Sequence, residues 1–173
     1  IMPAGDNSGA GSPTGVVLNE GDGLGKAYRG MLFSADAGRN LVFGYKPQLK
    51  GSGFDLKGRR TNFITSIPKD NEAYVWNDKG HQSDKRKWFR PSDVMMGTDG
   101  AMYIADWYDP VVGGHQMKDS MGYGRIYRIK PKGKIPRSPL IDFNTEAGVL
   151  EALKSPAVNV RAFGFERARA LGL

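Results

Sequence analysis

The sequence predicts a mainly β fold, part of a β-propeller with about two blades of antiparallel strands, ending in a helical pair. Three observations carry this reading. Short apolar runs alternate with turn residues from position 13 to 137. One strand pattern occurs twice in the same order. After Pro139 the turn residues thin out and the pattern becomes helical. The 24 Gly and 10 Pro fit a turn-rich chain and argue against a helical bundle or coiled coil.

The predicted strands are Gly15–Leu18, Met31–Ala35, Leu41–Tyr45, Asn62–Ile67, Asp93–Met96, Ala101–Trp107 and Arg125–Ile129. Each is short, apolar and bounded by Gly, Pro, Asn, Asp or Ser. Thr98-Asp99-Gly100 reads as a tight hairpin turn. Residues 1–12 read as an entry loop. Thr145–Lys154 and Ala157–Leu171 read as helices. Asn144 or Thr145 can cap the first, and Ser155-Pro156 suits the start of the second as N-cap and first helical residue.

The repeat is the most informative feature. Gly30-Met31-Leu32-Phe33-Ser34-Ala35-Asp36 matches Gly100-Ala101-Met102-Tyr103-Ile104-Ala105-Asp106. A strand closing on Lys-Pro follows each copy, Val42–Pro47 and Ile126–Pro131. A strand opening on Pro precedes each, at Pro13 and at Pro91. Two matched meanders suggest adjacent propeller blades at about 12–67 and 88–131. The expected organisation is a partial propeller over 1–137 and a helical region over 138–173. Two blades cannot close a ring, so the chain reads as an internal piece of a longer protein.

Composition limits the function classes. The chain has 173 residues, 39% hydrophobic and 25% charged, as in an ordinary globular domain. It has no Cys, which excludes disulfides, thiolate metal sites, covalent haem attachment and a Cys nucleophile. No apolar run is long enough for a membrane-spanning helix, and no signal peptide is visible. The net charge is +7. Basic clusters lie at Lys85-Arg86-Lys87 and between Arg125 and Arg137, but Pro and Gly interrupt the second and no nucleic-acid motif accompanies them. They read as solvated segments, so no nucleic-acid partner is expected. No phosphate-binding Gly loop, zinc motif or nucleophile elbow occurs.

Trp88 to Val94, Gly97 to Pro110, Gly114-His115 and Gly124 to Ile129 together resemble a known family. They are similar to the propeller of the planctomycete-type membrane-bound dehydrogenases, themselves similar to soluble quinoprotein glucose and sorbosone dehydrogenases. Ser12 to Gly15 and Tyr28 to Asp36 fit that family's preceding blade. The resemblance covers about residues 12–171. It implies that 144–171 begin a HEAT-like repeat, with Asn159-Val160-Arg161-Ala162 as its signature. It further implies PQQ and Ca²⁺ as cofactors, and a c-type cytochrome domain elsewhere in the full-length protein. There is no haem in this fragment. A periplasmic or extracellular location, membrane-associated in the full-length protein, goes with it.

Several residues are candidates for chemistry. Asp36 and Asp106 end equivalent strands. Each reads as a general base or Ca²⁺ carboxylate, or else as a turn cap bonding backbone N–H groups. His115 lies in the long loop 107–123 and suits a base accepting a hydroxyl proton during hydride transfer; an exposed loop His is the competing reading. This loop is expected to fold over the channel mouth and bring His115 near Asp106 or Arg90. His81 reads as solvated. Arg90 and Arg125 are candidates for holding an anionic cofactor, and Arg128 is a third. A buried Arg90–Asp pair locking neighbouring blades competes with this. Trp107, with Trp88 and Tyr108, suits stacking on a sugar or quinone ring, or packing between blades.

Two functions follow as expectations. The first is a segment of a quinoprotein-like, PQQ-dependent sugar or alcohol dehydrogenase, oxidising a hydroxyl or aldehyde. The second is a non-catalytic module of propeller and helical repeat for protein or glycan binding.

Overall fold

The computed structural model describes residues 5–9, 11–67, 84–109, 122–134 and 137–173. These residues form a mainly β structure with three antiparallel sheets and two C-terminal helices. The strands are β1 (Pro13–Leu18), β2 (Leu32–Asp36), β3 (Leu41–Tyr45), β4 (Gln48–Lys50), β5 (Gly53–Asp55), β6 (Arg60–Thr65), β7 (Pro91–Met96), β8 (Met102–Asp106) and β9 (Arg125–Ile129). The helices are α1 (Glu146–Leu153) and α2 (Val158–Leu171). Strand order is β1-β2-β3-β6 in the first sheet, β4-β5 in the second and β7-β8-β9 in the third. No closed ring of blades forms among the described residues.

The first sheet is built around β3, whose five residues are all buried. Paired residues share a face of a sheet. Leu32 opposite Tyr45 and Ser34 opposite Phe43 therefore place Leu41, Phe43 and Tyr45 on one face. Leu32 and Leu56 pack against those three. Phe33 and Ala35 lie on the other face with Val42 and Gly44. The space at Gly44 is tight: a Cβ on it would stand 3.0 Å from the Met31 terminal methyl and 3.1 Å from the Thr61 hydroxyl. The Phe33 ring meets Phe63 with centroids 4.6 Å apart. A strand buried on both faces needs cover on both, unlike the one-sided sheets common among antiparallel folds.

The chain divides into two compact units that interleave along the sequence. One comprises Ile1–Leu18, Gly30–Val94 and Ile104–Tyr127; the other comprises Asn19–Arg29, Met95–Tyr103 and Arg128–Leu173. In the second unit, α1 and α2 pair closely. A Cβ on Gly164 would lie 2.9 Å from that of Ala152, and the Phe143 and Phe163 rings meet edge-on at 4.7 Å. Thr145 caps α1, accepting the Gly148 N–H at 3.1 Å. The expected start of α2 is corrected: its N-cap is Ala157, and no side chain caps it. Ser155 instead accepts the Ala157 N–H at 3.2 Å, a turn bond that precedes the helix. The β4–β5 hairpin was not expected from the sequence, its strands being too short to show alternation.

Candidate functional site

The matched meanders end in the same device. Asp36 Oδ1 accepts N–H bonds from Ser12 at 2.8 Å and Arg39 at 3.2 Å. Asp106 Oδ1 accepts them from Arg90 at 2.8 Å and Tyr108 at 2.9 Å. Ser12 and Arg90 are the residues before the Pro that opens β1 and β7. Their carbonyls in turn accept the N–H of the residue after each Asp: Ala37 to Ser12 and Trp107 to Arg90, both at 2.9 Å. Each Asp thus clamps its own strand end to the entry of the strand beside it. Pro has no N–H to donate, so the residue before it takes that part. Both carboxylates are buried, Asp36 at 2% and Asp106 at 4% exposure.

The two meanders meet in the first unit through their opening strands. Thr14 Oγ1 donates to the Pro91 carbonyl at 2.8 Å. A Cβ on Gly15 would stand 2.1 Å from Asp93 Oδ1 and 2.8 Å from the Val94 nitrogen, so β1 and β7 need Gly at this approach. Asn40 Nδ2 donates to the carbonyls of Lys87 and Phe89. Asn40 has φ 58, a left-handed conformation that Asn tolerates better than most residues. Arg90, 4% exposed, donates from Nε to the Asp109 carbonyl at 2.7 Å and from its Nη1 to the Ala37 carbonyl at 2.9 Å. Its guanidinium therefore ties the turn after Asp36 to the turn after Asp106. Backbone carbonyls take these charged donors.

Past Asp106 the side chains open toward solvent. Arg125 stacks over Tyr108 at 4.4 Å from the ring centroid and lies 5.9 Å from that of Tyr127. Its Nε donates to the Tyr123 carbonyl at 3.0 Å, and its side chain is 42% exposed. Tyr108 meets Trp88 and Tyr123 edge-on at 5.5 and 5.7 Å, and Tyr127 meets Phe89 at 5.9 Å. Trp107, next in the chain, is 55% exposed. Tyr108 has φ 52, strained for a large side chain. The result is a cation–π platform of Arg125 on Tyr108.

Asp106 Oδ2 is buried without a hydrogen-bond partner among the described residues, and Arg125 Nε stands 4.0 Å from it. Burial pushes the Asp106 carboxyl above its ordinary range, against the N–H bonds from Arg90 and Tyr108 and the Arg125 charge, which pull it down. Burial, and next the Asp106 charge, push the Tyr127 phenol up.

The structure thus gathers Asp106, Arg90 and Arg125 at one corner; Trp107 joins it through its backbone N–H to Arg90, with its side chain exposed. Asp36 occupies the equivalent position in the other meander. Arg128 is engaged elsewhere, with Asp99. His115 and His81 lie outside the described residues, and so does the placement expected for the loop around His115. Tyr123 and Tyr127 complete the platform. In the sequence Tyr127 reads as part of the Arg125–Ile129 strand and Tyr123 as the end of the loop 107–123, and neither position signals a platform. For Ca²⁺, Asp36 and Asp106 offer a poor donor set. Each has one oxygen committed to two backbone N–H groups, and no three His, Asp or Glu side chains gather among the described residues. A hard cation of that size takes six to eight oxygens. No step is therefore derived through Ca²⁺.

A separate cleft of about 520 Å³ lies within the second unit, lined by Glu20, Asp22, Asp99, Lys154 and Arg161 among others. Arg161 pairs with Glu20 and donates to the Ser155 carbonyl. Asp99 is held by Arg128, Tyr103 and the Ala101 N–H.

Residues 4–133 match the model of one family, described as a domain of unknown function, DUF7133. No curated protein and no solved structure matches the chain.

Proposed function

The chain belongs to the DUF7133 family, a domain of unknown function, and we propose that it is a segment of a β-propeller whose platform after β8 recognises a sugar ring. The observation that carries this is the half-exposed Arg125 stacked on Tyr108; Trp107, the preceding residue, is exposed. An aromatic face packs against the C–H face of a sugar, and a guanidinium pairs with its hydroxyl or carboxylate groups. The propeller reading draws support from the repeated Asp clamp, from β3 being buried on both faces, and from β1 meeting β7. In this reading Asp36, Asp106 and Arg90 are framework, and only the platform faces ligand.

The test is calorimetric titration with neutral sugars and sugar acids. Trp107→Ala and Arg125→Ala should each weaken binding at least tenfold while leaving the melting temperature within about 3 °C of the parent, as surface substitutions do. Unchanged affinity in both variants would remove the proposal.

A second reading rests on Asp106. A buried carboxylate with a raised pKa, its Oδ2 4.0 Å from Arg125 Nε and with the Tyr127 phenol close by, suits a general base. It would take a proton from a substrate hydroxyl while hydride passes to a quinone such as PQQ. Dye reduction by the chain with added quinone and sugar, abolished by Asp106→Asn at unchanged fold, would favour this second reading.

A further inference from the structure

The platform after β8 carries a second cation. Lys85 Nζ lies over the Tyr123 ring, 6.0 Å from its centroid. Arg125 lies over Tyr108 at 4.4 Å. Those two rings meet edge-on at 5.7 Å, so the cations stand on neighbouring members of one aromatic cluster within the first unit. Tyr123 is 43% exposed, and Lys85 is exposed too.

An aromatic face orients a cation without cancelling its charge. That sets Lys85 apart from its neighbour Arg86, whose Nε and Nη2 donate to the two oxygens of Asp84 at 2.9 and 2.7 Å. The acid next to Lys85 in the chain is thereby taken, and among the described residues no other acidic side chain pairs with Lys85. Arg125 is only loosely answered. Its Nε stands 4.0 Å from Asp106 Oδ2, outside hydrogen-bond reach, and burial favours the uncharged form of that carboxyl. The platform therefore keeps positive charge beside rings that are open to solvent.

We infer that the ligand of this platform is an acidic sugar, one whose ring carries a carboxylate or a sulfate, and that Lys85 selects it over the neutral sugar. The inference rests on the sugar-binding proposal and goes past it, from the ring to the charge the ring carries. A neutral sugar would use the aromatic faces and leave Lys85 unmatched. An acidic group supplies the partner that Lys85 lacks. It can also take the Arg125 Nη groups, since Nε is committed to the Tyr123 carbonyl.

The test is calorimetric titration of the whole chain with three sugars: methyl glucoside, methyl glucuronide, and methyl glucoside sulfated on its primary hydroxyl. They share a ring and differ in one group. At about 20 mM salt at least one acidic sugar should bind about fivefold or more tightly than the glucoside, the scale of one or two half-exposed charge pairs. Which of the two binds tighter identifies the acid. The preference should shrink at about 0.5 M salt, where charges are screened. Lys85→Gln should cut the preference at least about twofold, and Lys85→Arg, which keeps the charge, should retain most of it. Circular dichroism checks the fold of each variant; if Lys85→Gln does not fold, the salt dependence decides. Equal affinity for all three sugars overturns the inference and leaves the sugar platform standing. Binding of none of them removes the platform reading, and the inference with it. A preference that is the same at both salt concentrations overturns the inference, and so does a folded Lys85→Gln variant with the parent's preference.

Discussion

Replacing Asp106 with Ala removes the shared acceptor of two backbone donors, the Arg90 N–H at 2.8 Å and the Tyr108 N–H at 2.9 Å. Hydrogen bonds to a charged group contribute about 1.5–3 kcal/mol each, so their loss sets an upper bound of about 6 kcal/mol. Two effects reduce it. The buried charge carries a desolvation cost, visible in the raised Asp106 pKa, and Ala removes that cost. Water can also reach part of the freed site, since the Tyr108 end is only part-buried. The expected loss is about 2–4 kcal/mol. For a chain of this length that lowers the melting temperature by about 4–16 °C. Asp106→Asn keeps an acceptor at Oδ1 and drops the charge, so it should cost less than half as much as Ala. Asp36→Ala should match Asp106→Ala within about 1 kcal/mol, because its bonds from Ser12 and Arg39 repeat the arrangement. Urea denaturation followed by circular dichroism measures all three. An Ala variant within about 0.5 kcal/mol of the parent at either position, the range of a neutral surface change, would refute the clamp. Asn as damaging as Ala would refute the reasoning about charge.

Other outcomes follow from the same structure. Gly23→Ala should destabilise the chain by about 1–3 kcal/mol, because its Cβ would stand 2.0 Å from the Gly100 carbonyl oxygen, backbone against backbone; thermal melts check it. Thr145→Ala should cost about 1 kcal/mol through the lost α1 cap, read in the same melts. The pH profile has two opposed contributions. Burial works to raise the Asp99 pKa, but the Ala101 N–H, Arg128 and Tyr103 outweigh it and lower it, so the stability from Asp99 is lost as pH falls through its folded pKa. The Asp106 pKa is raised, so the folded chain holds that proton more tightly than the unfolded one. Stability therefore falls as pH rises from the ordinary Asp range through the folded pKa, then levels off. Denaturation midpoints across acidic pH should flatten on the acid side in Asp99→Asn and lose the second decline in Asp106→Asn. In a spectrophotometric titration Tyr45, pushed up to about 12 by burial and its bond to Asp6, should be among the last phenols to ionise.

Much of the fold could be read from the residues because its strands announce themselves. Phe33, Ala35, Val42 and Phe43 alternate or run together between Gly, Asn and Pro, and that pattern has few alternatives. The repeat pointed to Asp36 and Asp106, and the turn-cap reading of both describes what their carboxylates bond. What repetition could not give is direction. A carboxylate at a strand end serves a ligand or its own backbone according to where the preceding N–H groups fall, and that depends on strand pairing between residues as distant as Ser12 and Asp36. Arg90 shows the same limit: its donors end on carbonyls of Ala37 and Asp109, and a carbonyl acceptor leaves no mark in the sequence. The β4–β5 hairpin was hidden for another reason. Gln48–Lys50 and Gly53–Asp55 are too short and too polar for a period to appear. Ser155-Pro156 places the helix start two residues early, because a Ser-Pro pair suits a turn before a helix as well as a helix start.

Amide hydrogen exchange, followed residue by residue, tests most directly the claim that the two aspartates are one structural device used twice. The Ser12, Arg39, Arg90 and Tyr108 amides should be protected in the parent chain, all four bonded to carboxylate oxygen. Asp36→Ala should release Ser12 and Arg39 and spare the other pair; Asp106→Ala should do the reverse. Fast exchange of these amides in the parent chain, or protection that survives both substitutions, would contradict the account.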